Sequence, residues 1–108
     1  MKTIIKQNTW LNFTSHGWGN GYVVIPEGHK LHGIDYNDID VSVHGGLTFS
    51  ALADSDMVDD WDELSEGDLG SWVVGFDTCH WGDSIDNWSA ENVQAETDRL
   101  LKQLIELP

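Results

Sequence analysis

Trp72-Val73-Val74-Gly75-Phe76-Asp77-Thr78-Cys79-His80-Trp81-Gly82-Asp83 is the stretch on which the reading of this chain turns. Trp72-Val73-Val74 is an apolar, β-branched run with the length and composition of a buried strand. Two carboxylates, a thiol and an imidazole follow within seven positions, where the strand must end. A turn needs the glycine and one aspartate, but not a histidine and a cysteine between tryptophans. Two readings follow: a binding site at a strand end, or an unusually polar way out of a sheet.

Outward from that strand, other β elements are expected at Ile4-Ile5 on an edge, at Trp10 to Phe13, and at Tyr22 to Ile25, which Pro26 ends. Ser15 to Gly21 reads as a turn-rich loop whose three glycines can take positive φ. Pro26 to Asn37 reads as a loop carrying His29 and His32. Ile39, Val41 and Val43 alternate with Asp40, Ser42 and His44, the pattern of a half-buried strand. Gly45-Gly46 then turns the chain into Leu47-Thr48-Phe49-Ser50, which predicts a hairpin. Ser89 to Leu107 is the expected long helix. Ser89 is its N-cap, Trp88 and Val93 form a hydrophobic staple, and Ala90, Val93, Thr97, Leu100, Leu101 and Leu104 form one apolar stripe.

Asp54 to Asp68 holds eight carboxylates: Asp54, Asp56, Asp59, Asp60, Asp62, Glu63, Glu66 and Asp68. Met57, Val58, Trp61 and Leu64 recur within it at helical spacing, so a short helix capped near Asp54 or Ser55 is expected. A calcium loop starting at Asp54 fails, because Val58, Asp59 and Ser65 fall where that loop needs a ligand, a glycine and a glutamate. These elements predict one α+β domain over residues 1–108: a small, mostly antiparallel sheet with the C-terminal helix packed on it and a metal staple. The 108 residues suffice for one modest core.

The chain carries 19 acids against 5 bases, a net charge of -14. No lysine or arginine lies between Lys30 and Arg99, and that interval holds 17 of the acids. Such a surface repels nucleic acids, nucleotide phosphates and anionic membranes, and attracts basic ones. The plain account is a soluble acidic protein. The sharper one is a protein that occupies a nucleic-acid-binding groove, where dense carboxylates compete with phosphates for the same arginines. No apolar run reaches membrane-span length. The N-terminal apolar stretch is short for a signal peptide, and one cysteine makes no internal disulfide. A cytoplasmic protein is therefore expected.

His44, Asp77, His80 and Asp83 are the candidate metal ligands, with His29 behind them. Zinc takes imidazole nitrogen, thiolate and carboxylate, often with two ligands from one short loop and others from afar. Asp77, His80 and Asp83 give the local group, and His44 beside Gly45-Gly46 the distant ligand. The alternative is polar turn residues that hydrogen-bond the backbone. Cys79 divides between a ligand and a small buried hydrophobe. His16 and His32 read as surface residues. Cys79 and His80 are adjacent, so on extended backbone their side chains point apart and make no nucleophilic dyad. Gly17 to Gly21 lacks the helix and basic residue of a phosphate cradle.

The stretches Gly21-Tyr22-Val23-Val24-Ile25-Pro26-Glu27-Gly28-His29, His44-Gly45-Gly46-Leu47-Thr48-Phe49-Ser50 and Gly75 to Asp83 together resemble a family of small phage and prophage proteins. The resemblance covers about positions 20 to 85. Size, acidity and phage-like character also resemble anti-CRISPR proteins, particularly inhibitors of type II systems. The first resemblance implies emphasis on His29, His44, Asp77, His80 and Asp83, and small residues in the slot of Cys79. That favours a His/Asp zinc site, or one for another divalent metal, with a structural role. The second implies a non-enzymatic inhibitor in the host cytoplasm. It would bind a type II CRISPR-Cas effector nuclease through the carboxylates of Asp54 to Asp68 and block its target-DNA engagement. The alternatives are a metal-dependent hydrolase and a sponge for a host defence signal.

Overall fold

A computed structural model describes residues 1–9 and 16–108. The strand expected at Trp10 to Phe13 lies outside them. Four strands, β1 (Lys2–Gln7), β2 (Gly19–Ile25), β3 (Phe49–Leu52) and β4 (Trp72–Phe76), form one antiparallel sheet in the order β1-β2-β4-β3. Helix α1 (Ser55–Asp60) follows β3, and helix α2 (Ala90–Glu106) closes the chain. This is the α+β arrangement the sequence predicts. No helix among the described residues is long and apolar enough to cross a membrane.

Strand alternation sorts the side chains onto two covered faces. Val23, Ile25, Val74 and Phe76 point to one face and meet Val93, Leu100 and Leu104 of α2. Val73, Tyr22, Val24 and Ile4 point to the other, under Ala53, Leu64, Met57, Val58 and Trp61. The acidic stretch is thus a third layer, laid across the sheet face opposite α2. Its apolar residues face inward at helical spacing and its carboxylates are left outside. Asp54 caps α1 as expected, accepting from the Met57 N–H at 2.9 Å. Edge strand β1 clips the layer down: Lys2 Nζ pairs with Asp68 at 2.7 Å and Lys6 Nζ with Glu63 at 3.0 Å. Partial burial opposes ionisation of both carboxyls. The lysines outweigh it and hold both below their ordinary range. Lys6 also lies 4.9 Å from the centre of the Trp61 ring.

Two expectations are corrected. Residues 39 to 48 form no strand, so the hairpin predicted there is absent; β3 starts at Phe49 and pairs with β4. The alternation was nonetheless physical, because Ile39 and Val43 are buried against α2. The backbone groups of Ser42 and His44 bond to helix side chains instead of a ladder. Gln103 accepts from the Ser42 N–H at 2.8 Å and donates to the Ser42 carbonyl at 2.9 Å. Glu96 accepts from the His44 N–H at 2.8 Å. The turn at Gly45-Gly46 is real, with both glycines at positive φ.

The second correction concerns Gly19 and Gly21, which belong to β2 and do not take positive φ. They are glycines for closeness. A Cβ on Gly19 would lie 1.9 Å from the Lys6 carbonyl oxygen, and one on Gly21 would lie 2.0 Å from Thr97 Oγ1. Helix α2 otherwise follows the sequence. Ser89 caps it, accepting from the Asn92 N–H at 3.3 Å, and Val93, Thr97, Leu100 and Leu104 are its buried stripe. Arg99 turns to Glu96 within the helix, while Lys30 reaches the Leu107 carbonyl at the helix end, where the dipole favours a cation.

Candidate functional site

The polar stretch begins one residue after β4 ends. Asp77 folds back on its own loop and accepts from the Cys79 N–H at 3.1 Å, the local turn that aspartate favours. Thr78 is fully buried and donates to the Gly19 carbonyl at 2.6 Å, while its own carbonyl accepts from the Gly17 N–H at 2.7 Å. These bonds fix the loop under the entry to β2. His80 to Asp83 then make a tight turn, in which the Asp83 N–H donates to the His80 carbonyl at 3.0 Å.

Asp83 is the hub. It is only 6% exposed and accepts from the His80 N–H at 3.0 Å. His44 Nε2 lies 2.8 and 3.0 Å from its two oxygens, which assigns the ring proton to that nitrogen. The His44 ring lies on Trp88 with centroids 4.3 Å apart, and 5.4 Å from the His80 ring at 77°. The His44 backbone is held by Glu96, which Arg99 grips at 2.7 and 2.9 Å. Those Arg99 bonds, then the His44 N–H, outweigh burial and keep the Glu96 carboxyl below its ordinary range. One chain of contacts therefore runs from α2 through Glu96, His44 and Asp83 to the turn at His80. Each bond to a charged partner in it contributes about 1.5–3 kcal/mol.

His80 completes the group differently. Its Nε2 is 3.1 Å from Asp77 Oδ1, within ion-pair reach, yet it is misaligned for a hydrogen bond. It is buried with no hydrogen-bond partner among the described residues. The ring sits directly over Gly45: a Cβ there would lie 2.2 Å from His80 Nε2. Gly45 thus leaves the space that His80 fills.

Four of the five expected ligands, His44, Asp77, His80 and Asp83, come together. His29 does not join them. It follows the Ile25 end of β2, which pairs with Trp72, whereas Asp77 follows the opposite end of β4. Its Nδ1 accepts from the Leu31 N–H at 3.1 Å. The donor types of the four suit zinc. Ligands about 2.0–2.1 Å from one tetrahedral ion stand roughly 3.3 Å from each other. His44–Asp83 at 2.8 Å and His80–Asp77 at 3.1 Å are closer than that. Among the described residues no three His, Cys, Asp or Glu side chains already form a metal-holding group. The arrangement is two closed His–Asp pairs, and an ion held by all four would have to draw the pairs together as well as part each one.

Cys79 is exposed, contrary to the small-hydrophobe reading, and Asn8 Nδ2 donates weakly to its sulfur at 3.4 Å. Partial burial, and then the Asp77 charge, raise the thiol above its ordinary value, which disfavours a thiolate ligand or nucleophile. His16 is buried, not on the surface, with Nδ1 2.7 Å from the Gly17 carbonyl oxygen. His32 is half-buried, with Nε2 2.6 Å from the Gly70 carbonyl oxygen. Glu96, Trp88 and Asn87 are the supporting residues that the sequence reading missed. Asn87 was legible: it stands three after Ser84, and the two exchange side-chain and backbone bonds at 2.8 and 3.3 Å.

The chain matches no family model, no curated protein and no solved structure.

Proposed function

We propose that this protein is an anti-CRISPR inhibitor of the phage type, which seats its acidic layer in the nucleic-acid groove of a type II RNA-guided nuclease and blocks target-DNA engagement. The supporting observation is the layer itself. Asp54, Asp56, Asp59, Asp60, Asp62 and Glu66 are all exposed on it, while Glu63 and Asp68 are engaged by Lys6 and Lys2. The layer is packed against a sheet rather than hung on a tail, so its charges are held in a fixed array. A groove that binds a phosphate backbone presents lysines and arginines at comparable density, and charge complementarity then sets encounter rate and register. The test is direct binding to purified type II effector–guide complexes, with a target-cleavage assay alongside. Binding is expected to prevent cleavage and to weaken steeply between low and high salt. A protein that neither binds such complexes nor protects the target sinks the reading, and a salt-insensitive complex sinks the acidic-surface mechanism.

Zinc is the second part of the proposal, held as a structural ion by His44, Asp77, His80 and Asp83. The buried, unpartnered Nε2 of His80 beside Asp77 supports it. A small domain with long loops gains stability from such a staple. Protein purified with zinc in the medium should carry the metal, lose it in His80→Ala, and melt lower after chelation. Metal-free protein whose melt ignores both zinc and chelator would remove zinc from the account and leave the two His–Asp pairs as a simple clasp.

A further inference from the structure

Trp81 is fully exposed, at 102% of the reference area, at the tip of the loop that the clasp holds. An indole carries about 200 Å² of mostly apolar surface, which folding ordinarily hides. Here the fold does the reverse. His80 to Asp83 form a β-turn closed by the Asp83 N–H to the His80 carbonyl, with Gly82 at φ +89°, the type II geometry that needs glycine at its third position. Trp81 occupies the turn's second position, ahead of Gly82. The turn is not loose. Asp83 is tied to His44, and Asn87 Nδ2 donates to the Gly82 carbonyl at 3.2 Å. The backbone that carries the indole is thus braced, so the turn's share of the ordering cost is met before any contact.

We infer that Trp81 is a docking anchor for a basic protein surface, its indole face stacked on an arginine guanidinium of the partner. The chemistry around it selects that occupant. Asp77, part-exposed, and Asp86, exposed, stand four positions before and five positions after Trp81 in the chain, and no lysine or arginine occurs in the sequence from residue 31 to 98. An electron-rich ring face within a negative field attracts cations. A planar, weakly hydrated guanidinium loses less on leaving water than an ammonium does, and it stacks. Nucleic-acid-binding proteins use the same arginines and flat surfaces to stack bases, so the indole stands where a base would and the carboxylates where phosphates would. Trp81 is the residue type that most often dominates such contacts. The inference shares with the nuclease reading only the demand for a basic partner.

The test is a fluorescence titration of the full chain with an arginine-rich peptide and a lysine-rich peptide of equal length and charge, at about 0.15 M salt. The arginine peptide should bind about tenfold more tightly than the lysine peptide. Trp81→Ala should bring the two to the same level with an unchanged melting temperature, and Trp81→Phe should fall between. An arginine preference absent from the natural chain, or one that survives in Trp81→Ala, overturns the inference. Nuclease binding without arginine preference would leave the earlier proposal standing and remove this one; preference without nuclease binding would do the opposite.

Discussion

Gly21→Ala is expected to destabilise the protein by about 3 kcal/mol, the upper part of the overpacking range, and to lower its Tm by roughly 12–24 °C. The added Cβ would lie 2.0 Å from Thr97 Oγ1 and 2.6 Å from the Phe76 ring. Neither neighbour can give way cheaply. Thr97 is fully buried and its hydroxyl donates to the Val93 carbonyl at 2.6 Å, inside the helix. Phe76 is 1% exposed and wedged between sheet and helix. Relief would require α2 to lift from β2, and with it the contacts of Val93, Leu100 and Leu104. Gly46→Ala is the control. It meets nothing within 4 Å, and its cost is confined to the strain of φ +80°, about 1–2 kcal/mol. Thermal melts of the two variants decide the matter. If Gly21→Ala melts no lower than Gly46→Ala, the close seat of α2 on β2 is wrong.

The glycines show what a sequence reading can and cannot see. Glycine's conformational freedom is a local property, so Gly45 and Gly46 were legible as a turn. Close approach is a property of what lies opposite, and Thr97 stands 76 positions from Gly21. The same distinction governs residues 39 to 43. Alternation marks which side chains are buried, and Ile39 and Val43 are buried as expected. It does not say what bonds the backbone between them, and here Gln103 and Glu96 of α2 take the place of a strand. Strong periodic segments with their own caps, such as Ser89 to Leu107, were legible because their determinants lie inside the segment.

The site divides in the same way. Asp77, His80 and Asp83 lie within one loop, so their grouping was readable from spacing. His44, at the end of an expected strand beside Gly45-Gly46, is the distant ligand of that reading. It does meet them, although it sits in a loop and not on a strand. His29 stood behind them as a lone loop histidine that the resemblance emphasised, and the antiparallel pairing of β2 with β4 puts it at the other end of the sheet. The charge pattern foretold an acidic surface but not that β1 would neutralise part of it. Lys2 and Lys6 are remote in sequence from Asp68 and Glu63, and only the sheet edge unites them.

Reversing three charges, Asp59→Lys with Asp60→Lys and Asp62→Lys, should separate binding from folding. All three residues are exposed. Asp59 and Asp60 close α1, at the end where the helix dipole disfavours carboxylates and favours cations. The net charge also moves from -14 to -8, because each substitution changes it by two. Self-repulsion therefore falls, and the melting temperature should hold or rise slightly. The effect on a basic partner is opposite. Three attractions become three repulsions within one patch, and like charges brought together at an interface cost several kcal/mol. Affinity for a type II effector–guide complex should drop by at least about a hundredfold at 0.15 M salt, with the association rate carrying most of the loss. The remaining binding should depend less on salt than that of the natural chain, since fewer favourable charge contacts are left to screen. Binding kinetics at two salt concentrations, with a melt of the same preparation, test each part. A variant that folds normally and binds as tightly as the natural chain would show that the acidic layer is not the binding face.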